Sequence, residues 1–550
     1  MNRQSKKLAS LIILITGMAF SGCTPTTEKT EIVNKKTVTT DYRATGILAK
    51  SLPEIAAALN KGDITSEALV QLYLDRIDAV DKNGPTLQAI LTVNPDVLDE
   101  AKKLDKMKAA GNVLGALHGV PILLKDNIES KDNMPTTAGA LALKDNVTRR
   151  DSPLVAGLRS QGALIIGKAN LSQWANFRSD DSMSGWTALG GQVRNPHMLD
   201  RNPCGSSSGS GVAAAASLAA GTVGTETNGS IICPSNANGV VGFKPTVGIV
   251  PQQHIIPISA SQDTAGPMTK SVMGAAMMMN AMATETPEID YTSGLNKNAL
   301  KGVRIGVLHF AKGSYQPILN HFDVALKDLV EAGGILVDIN DRPATPKGYG
   351  KMAYDLLKYE FKDGLNAYLN STSPEQVKPR TLKELIAFNE EYADIEQSLF
   401  DQGVFLDSES MGSLESMDYK KAVEVVQKTS REDGVDKILQ ENDVVLLVAP
   451  SGLLAPRVDP VNGDVWPSSW PGYGSHAARA GYPHATVPMG GVKSLSVGLS
   501  FIGGKNTDAD ILAYSYAYEQ HSNRRLEPQY LLNAEEVPAI AKAMKPYKSD

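Results

Sequence analysis

Cysteine is the first scarcity in this chain of 550 residues: three are present, at positions 23, 204 and 233. That is too few to staple a protein of this size, so its stability must come from burial. Aromatic residues are sparse at 6%, and no apolar run reaches the roughly 20 residues that a membrane-spanning helix needs. Charge of one sign is not in excess either. The 54 basic and 60 acidic side chains leave a net charge of −6, without the basic footprint of a nucleic-acid binder. The eight histidines are scattered, with no HxH, HExxH or CxxC pattern, so no metal site is signalled. What is present is ordinary for a globular chain, with 42% hydrophobic and 21% charged residues.

The N-terminus stands apart. Arg3, Lys6 and Lys7 precede an apolar run from Leu8 to Phe20 that closes on Ser21-Gly22-Cys23, the tripartite layout of an export signal. The small pair directly before a cysteine resembles the lipobox of bacterial lipoproteins, with Phe20 where that motif usually has Leu. The resemblance implies that residues 1–22 are a signal peptide, that Cys23 is lipidated, and that the mature protein is exported and membrane-anchored through this lipid. Residues 23–48, rich in Thr and charge, then read as a tether. Removal of the signal leaves 51 basic against 60 acidic side chains, an acidic protein.

Residues 49–545 read as one large α/β domain. Thr65 or Ser66 caps a helix whose Leu69, Tyr73, Ile77 and Val80 recur at helical spacing, and Asn83-Gly84-Pro85 ends it. Short apolar runs at 120–124, 163–166, 303–308 and 444–449 alternate with helical stretches. Such runs fit strands buried on both faces of a parallel or mixed sheet, with helices covering it. Residues from about 345 to 435 are more charged and helical, and are expected to form a cap or insertion over one edge.

Two motifs are decoys. Gly162 to Ala169 is one residue from a phosphate-binding loop, but its interior is a hydrophobic strand and Ala169 stands where a hydroxyl is needed. Gly205-Ser-Ser207-Ser-Gly209 matches a nucleophile elbow in letters, yet it follows a polar, proline-containing loop instead of a buried strand. Three other segments carry chemistry together. Leu117 to Asn127 is an apolar strand delivering Lys125 at or near its buried end, where desolvation lowers an ammonium pKa and makes a general base. Cys204 to Ala216 is a Gly/Ser loop running into a helix of small residues. Gly221 to Pro234 is a second glycine-rich loop whose N–H groups can converge on an anion.

In order and spacing these segments resemble the amidase signature family. GSSSGS and GTETNGSIICPSNANGVVGFKPTVG follow its signature almost position by position, and SQDTAGP at 261–267, GYPHATVP at 481–488 and VGLSFIG at 497–503 extend the likeness. The resemblance implies a large mixed β-sheet covered by helices on both faces. It makes Ser230 the nucleophile, Ser206 a bridging serine on a cis peptide, and Lys125 the terminal base. The N–H groups of Thr227, Asn228, Gly229 and Ser230 would form the oxyanion hole, with neither cofactor nor metal required. Asn228 stands where the wider family often has glycine; asparagine tolerates positive φ better than most residues. Since Ser206 and Ser230 must touch, Cys204 and Cys233 are expected near one another as buried free thiols, a disulfide being the alternative in an exported protein.

Within the family, Asn170 to Arg178, Ser184 to Trp186 and Gly190 to Pro196 are most similar to bacterial peptide amidases, which convert C-terminal peptide amides to acid and ammonia. On that likeness Trp174, Asn176, Phe177, Trp186 and Ser207 are candidate substrate-binding residues. Partners would then be a small amide or C-terminally amidated peptide and the membrane, with no obligate protein partner. A general aliphatic or aryl amidase, a fatty-amide hydrolase and the A-type component of glutamyl-tRNA amidotransferases share the signature. A non-catalytic binding lipoprotein is disfavoured because all three catalytic residues are present.

Overall fold

A computed structural model describes residues 41–466 and 470–546. The signal, Cys23 and the tether up to residue 40 lie outside the described residues. The remainder of the expected tether is part of the fold. Tyr42 meets Tyr530 edge-on at 6.0 Å, its carbonyl accepts from Arg76, and Ile47 and Leu48 pack on the main core. Three isolated apolar anchors carry no periodicity, which is why the expected boundary, residue 49, falls seven residues late.

The strands are, in chain order, β1 (Ile90–Val93), β2 (Pro121–Lys125), β3 (Leu164–Ala169), β4 (Trp186–Thr187), β5 (Gly191–Gln192), β6 (Gly221–Glu226), β7 (Val241–Lys244), β8 (Thr264–Thr269), β9 (Arg304–Leu308), β10 (Ile335–Ile339), β11 (Leu446–Pro450), β12 (His484–Val492) and β13 (Leu495–Ile502). All but the β4–β5 ribbon form one 11-stranded sheet, ordered β1-β3-β2-β6-β8-β7-β12-β13-β11-β9-β10. It is mixed: β3, β2 and β6 run parallel, β6 to β11 pair antiparallel through β8, β7, β12 and β13, and β11, β9 and β10 run parallel again. Helices cover both faces, as a sheet of continuous apolar runs demands. The four expected strands are present, and Thr65 caps helix Ser66–Arg76 by accepting from the Ala68 N–H. The phosphate-loop decoy is β3, with Lys168 buried against Thr136 and the Ile128 carbonyl.

Two features of this sheet place the site. Parallel pairing of β2 with β6, Leu124 opposite Val223, brings their C-terminal ends, Lys125 and Thr225-Glu226, side by side. Helices Ser208–Ala216 and Ile232–Asn238 pack on each other and on the sheet, so the loops before them, carrying Ser206 and Ser230, converge there. Small residues permit this closeness: a Cβ on Gly209 would stand 2.3 Å from the Asn170 carbonyl oxygen and 2.4 Å from that of Ala89. Helices Tyr349–Ser371, Leu382–Glu391 and Gly403–Ser410 build a second core with residues 138–143, Trp174, Phe177, Ile256 and Ile258. The helical segment therefore lies on the loops beside the site. Among the described residues no helix is long and apolar enough to cross a membrane.

Candidate active site

Lys125 is fully buried at the end of β2. Its Nζ lies 2.8 Å from Ser206 Oγ, 2.8 Å from Thr225 Oγ1 and 3.3 Å from the Thr225 carbonyl oxygen. Burial lowers its pKa to about 7, opposed only in part by the charges of Asp263 and Glu226. Ser206, itself buried, follows a cis Gly205–Ser206 peptide bond. The next residue, Ser207, donates its N–H to the Ser230 carbonyl at 3.1 Å, which ties the two serine loops together.

Thr227, Asn228, Gly229 and Ser230 face a cavity of about 710 Å³. Among the described residues the N–H groups of Asn228, Gly229 and Ser230 have no protein acceptor, and a Cβ on Gly229 would meet nothing within 4 Å. The left-handed turn needed here falls on Gly229, at φ +86°, so Asn228 is not forced into it. Asn228 instead accepts a hydrogen bond from Ser475 through Oδ1. Two carboxylates brace the loop. Glu226 accepts from the N–H groups of Ile231 and Ile232. Asp263 accepts from Thr227 Oγ1 and from the N–H groups of Ile258 and Ser259, and burial raises its pKa to about 6.

Of the five candidate substrate contacts, Asn176 and Phe177 line the cavity, and Asn176 Oδ1 is buried without a partner among the described residues. The other three lie elsewhere. Trp174 is buried edge-on to Phe405 in the second core, and Trp186 packs against Phe400. Ser207 is buried and exchanges hydrogen bonds with the Thr225 backbone, donating to its carbonyl and accepting from its N–H. Residue type marked them as contacts, but backbone direction turns them into packing; Trp174 sits at φ +50°, which sequence does not reveal. Thr225, Glu226 and Asp263 carry no such mark in the sequence, although all three stand inside the quoted motifs. Tyr354, Leu357, Trp466, Trp470, Arg342, His476 and Arg479 come from remote segments and complete the cavity wall.

Cys204 and Cys233 form a disulfide at the cavity wall, correcting the expectation of free thiols. Cys204 is two residues before Ser206 and Cys233 three after Ser230, so joining the serine loops sets their Cα atoms 5.8 Å apart, within bridging distance. Closing a loop of this length stabilises the fold by between about 3 and 4 kcal/mol in the chain-entropy account. Protein lacking residues 1–23, unfolded without reductant, is expected to give no titratable thiol, and two after reduction. Two thiols before reduction would contradict the pairing.

This fold and these loops define a class. The chain belongs to the amidase family, whose profile matches residues 68–512, and it is an amidase, a hydrolase of amide C–N bonds. It is similar to the native peptide amidase of Stenotrophomonas maltophilia, with 41% identity, a TM-score of 0.81, and 88% of this chain and 98% of that one covered. A structure of a peptide amidase with the competitive inhibitor chymostatin matches at 41% identity and a TM-score of 0.82, covering 87% and 99% of the two chains. Among curated relatives, a probable amidase of Arabidopsis thaliana is 35% identical, with 88% of this chain and 91% of that protein covered. A putative amidase of Schizosaccharomyces pombe is 33% identical, with 87% and 86% covered.

Proposed function

We propose that the protein removes the C-terminal amide from peptides, releasing ammonia, with Ser230 as nucleophile, Ser206 as proton relay and Lys125 as base. The observation that carries this reading is Lys125 Nζ, buried, in no ion pair with a carboxylate among the described residues, and 2.8 Å from Ser206 Oγ on a loop bonded to that of Ser230. A neutral amine has two N–H groups and one lone pair. The Thr225 carbonyl and Oγ1 accept the two N–H groups, which leaves the lone pair toward Ser206.

The reaction follows from this arrangement. Ser230 Oγ attacks the amide carbon while its proton passes through Ser206 to Lys125. The tetrahedral oxyanion is held by the unclaimed N–H groups of the 227–230 loop, preorganised donors that need no rearrangement. The proton returns through Ser206 to the leaving nitrogen, the C–N bond breaks and ammonia departs. Water, deprotonated by the same relay, then attacks the Ser230 ester, releasing the peptide acid and restoring the serine.

The peptide assignment is supported by the 41% identity to peptide amidases and by a wide cavity of mixed character. Phe177, Tyr354, Leu357 and Trp470 offer apolar surface, and Asn176 Oδ1 offers an acceptor for a peptide N–H. Because the base must be neutral, kcat/KM is expected to rise with pH through about 7 and level off above it, as measured on a C-terminally amidated peptide. A profile flat from acid to alkali would remove Lys125 as the base. Turnover of simple aryl amides with none of peptide amides would leave the mechanism and overturn the substrate.

The reading extends to location: an exported lipoprotein, with Cys23 as the lipidated N-terminus. The Cys204–Cys233 disulfide supports an oxidising compartment and leaves Cys23 as the odd cysteine. Incorporation of labelled fatty acid that is lost in Cys23→Ser is the expected result; equal labelling would overturn it.

A further inference from the structure

The cavity carries an unbalanced charge that amide hydrolysis itself does not use. Its acidic, basic and histidine wall residues are Glu226, Arg342, Arg479, His476 and His484. Glu226 is buried, and one of its carboxylate oxygens is taken by the Ile231 and Ile232 N–H groups. His484 is held neutral by burial, its pKa near 3. His476 is pushed to about 3 by burial, with the positive fields of Arg479 and Arg342 adding to it. The cavity wall therefore holds two guanidiniums against the single carboxylate of Glu226, whose Oε1 is buried without a partner among the described residues, an excess of positive charge in a chain whose net charge is −6.

Neither guanidinium is paired with a carboxylate among the described residues. Arg342 lies over the Phe310 ring at 5.1 Å, and Arg479 over the Tyr349 ring at 5.1 Å. Stacking occupies the faces of the guanidinium and leaves its N–H edge free for a planar anion. Other half-buried arginines are held by carboxylates, as Arg150 by Glu129 and Arg159 by Asp132, or by backbone carbonyls, as Arg76 by Ala216 and Arg431 by Ala480. Arg479 is also fixed relative to the 227–230 loop. It lies four residues after Ser475 on helix Gly474–Ala480, hence on the same face, and Ser475 donates to Asn228 of that loop.

From this we infer that the substrate carries a carboxylate on its acyl part, an acidic peptide amide whose Asp or Glu side chain is received by Arg479 and Arg342. The inference rests on the amide-hydrolase reading for the orientation of the substrate. The leaving group is ammonia, small and without a side chain, so a charge recognised in this cavity belongs to the acyl side. Guanidinium and carboxylate match as a two-pronged pair, and a cationic cavity on an acidic protein draws anionic substrate while repelling cationic peptides.

The test uses acetylated dipeptide amides with glutamate or glutamine at either position, and reads binding as well as turnover. Binding is measured by calorimetry on the Ser230→Ala protein, where no hydrolysis interferes. The glutamate peptide is expected to bind about tenfold tighter at low salt, with the advantage shrinking as salt is raised. Arg342→Gln/Arg479→Gln is expected to abolish the preference, the ratio of the two affinities falling to about one, and Arg479→Lys to keep part of it. Equal affinity for the two peptides, or a preference that survives the double substitution, would overturn the inference. Turnover separates the two readings. Hydrolysis of both peptides at equal efficiency refutes the acidic preference and leaves the amidase reading intact. Tight, arginine-dependent binding of the glutamate peptide without ammonia release supports the acidic site and refutes peptide-amide hydrolysis.

Discussion

Ser230→Ala is expected to lower kcat on any amide substrate by at least about 10⁴-fold, with KM little changed and the thermal unfolding transition preserved. In the proposed mechanism no other hydroxyl takes this role: of the other wall serines, Ser451 is bonded to Thr486 and Ser475 donates to Asn228. Ser206 is buried and bonded to Lys125, and Ser207 is committed to the Thr225 backbone. Ser230 is half-buried at the cavity wall, makes no side-chain bond among the described residues, and loses one hydroxyl on substitution, so the fold has little to lose. Retention of even about a tenth of the rate would transfer the nucleophile's role to another group.

Lys125→Met is the second large effect, with an expected loss of about 10³- to 10⁴-fold in kcat. Methionine keeps the unbranched apolar stem that β2 buries and removes only the amine. Lys125→Arg separates two accounts of the lysine. If Lys125 acted as a fixed positive charge, arginine would retain activity. Arginine cannot release its proton near neutrality, so a base mechanism predicts that it is nearly as inactive as methionine. The sign of the pH effect agrees. Burial lowers the Lys125 pKa to about 7, so the neutral amine is the minor form in acid and the major form above neutrality. In Lys125→Met the rise through about pH 7 should vanish from the residual rate. Circular dichroism and the Tm of both variants check that the loss is chemical.

The sheet was readable because β2, β3, β9 and β11 are apolar runs bounded by Gly, Pro or Asp, and the helix after Thr65 because its capping residue directly precedes a regular apolar stripe. That the end of β2 with Lys125 meets the two serine loops was readable for a different reason: the motif constrains backbone as well as chemistry, and Gly229 holds the one positive φ the 227–230 loop requires. What surrounds these three residues was less legible. Trp174 and Ser207 have side chains suited to binding, but their direction is set by a left-handed turn and by the Thr225 backbone. The acidic supports were hidden because a carboxylate that binds N–H groups looks, in sequence, like any surface acid; Asp263 holds Thr227, Ile258 and Ser259 from inside the fold. The cationic wall was invisible, since Arg342 and Arg479 are far apart in the chain and share a surface only in the wall of the finished cavity.

The measurement that bears most directly on the account is the product balance on a C-terminally amidated peptide treated with protein lacking residues 1–23. Ammonia and the free peptide acid should appear in equal amounts, with every internal peptide bond intact and no release by Ser230→Ala. Cleavage within the peptide, or a well-folded enzyme that frees no ammonia from peptide amides, would contradict it.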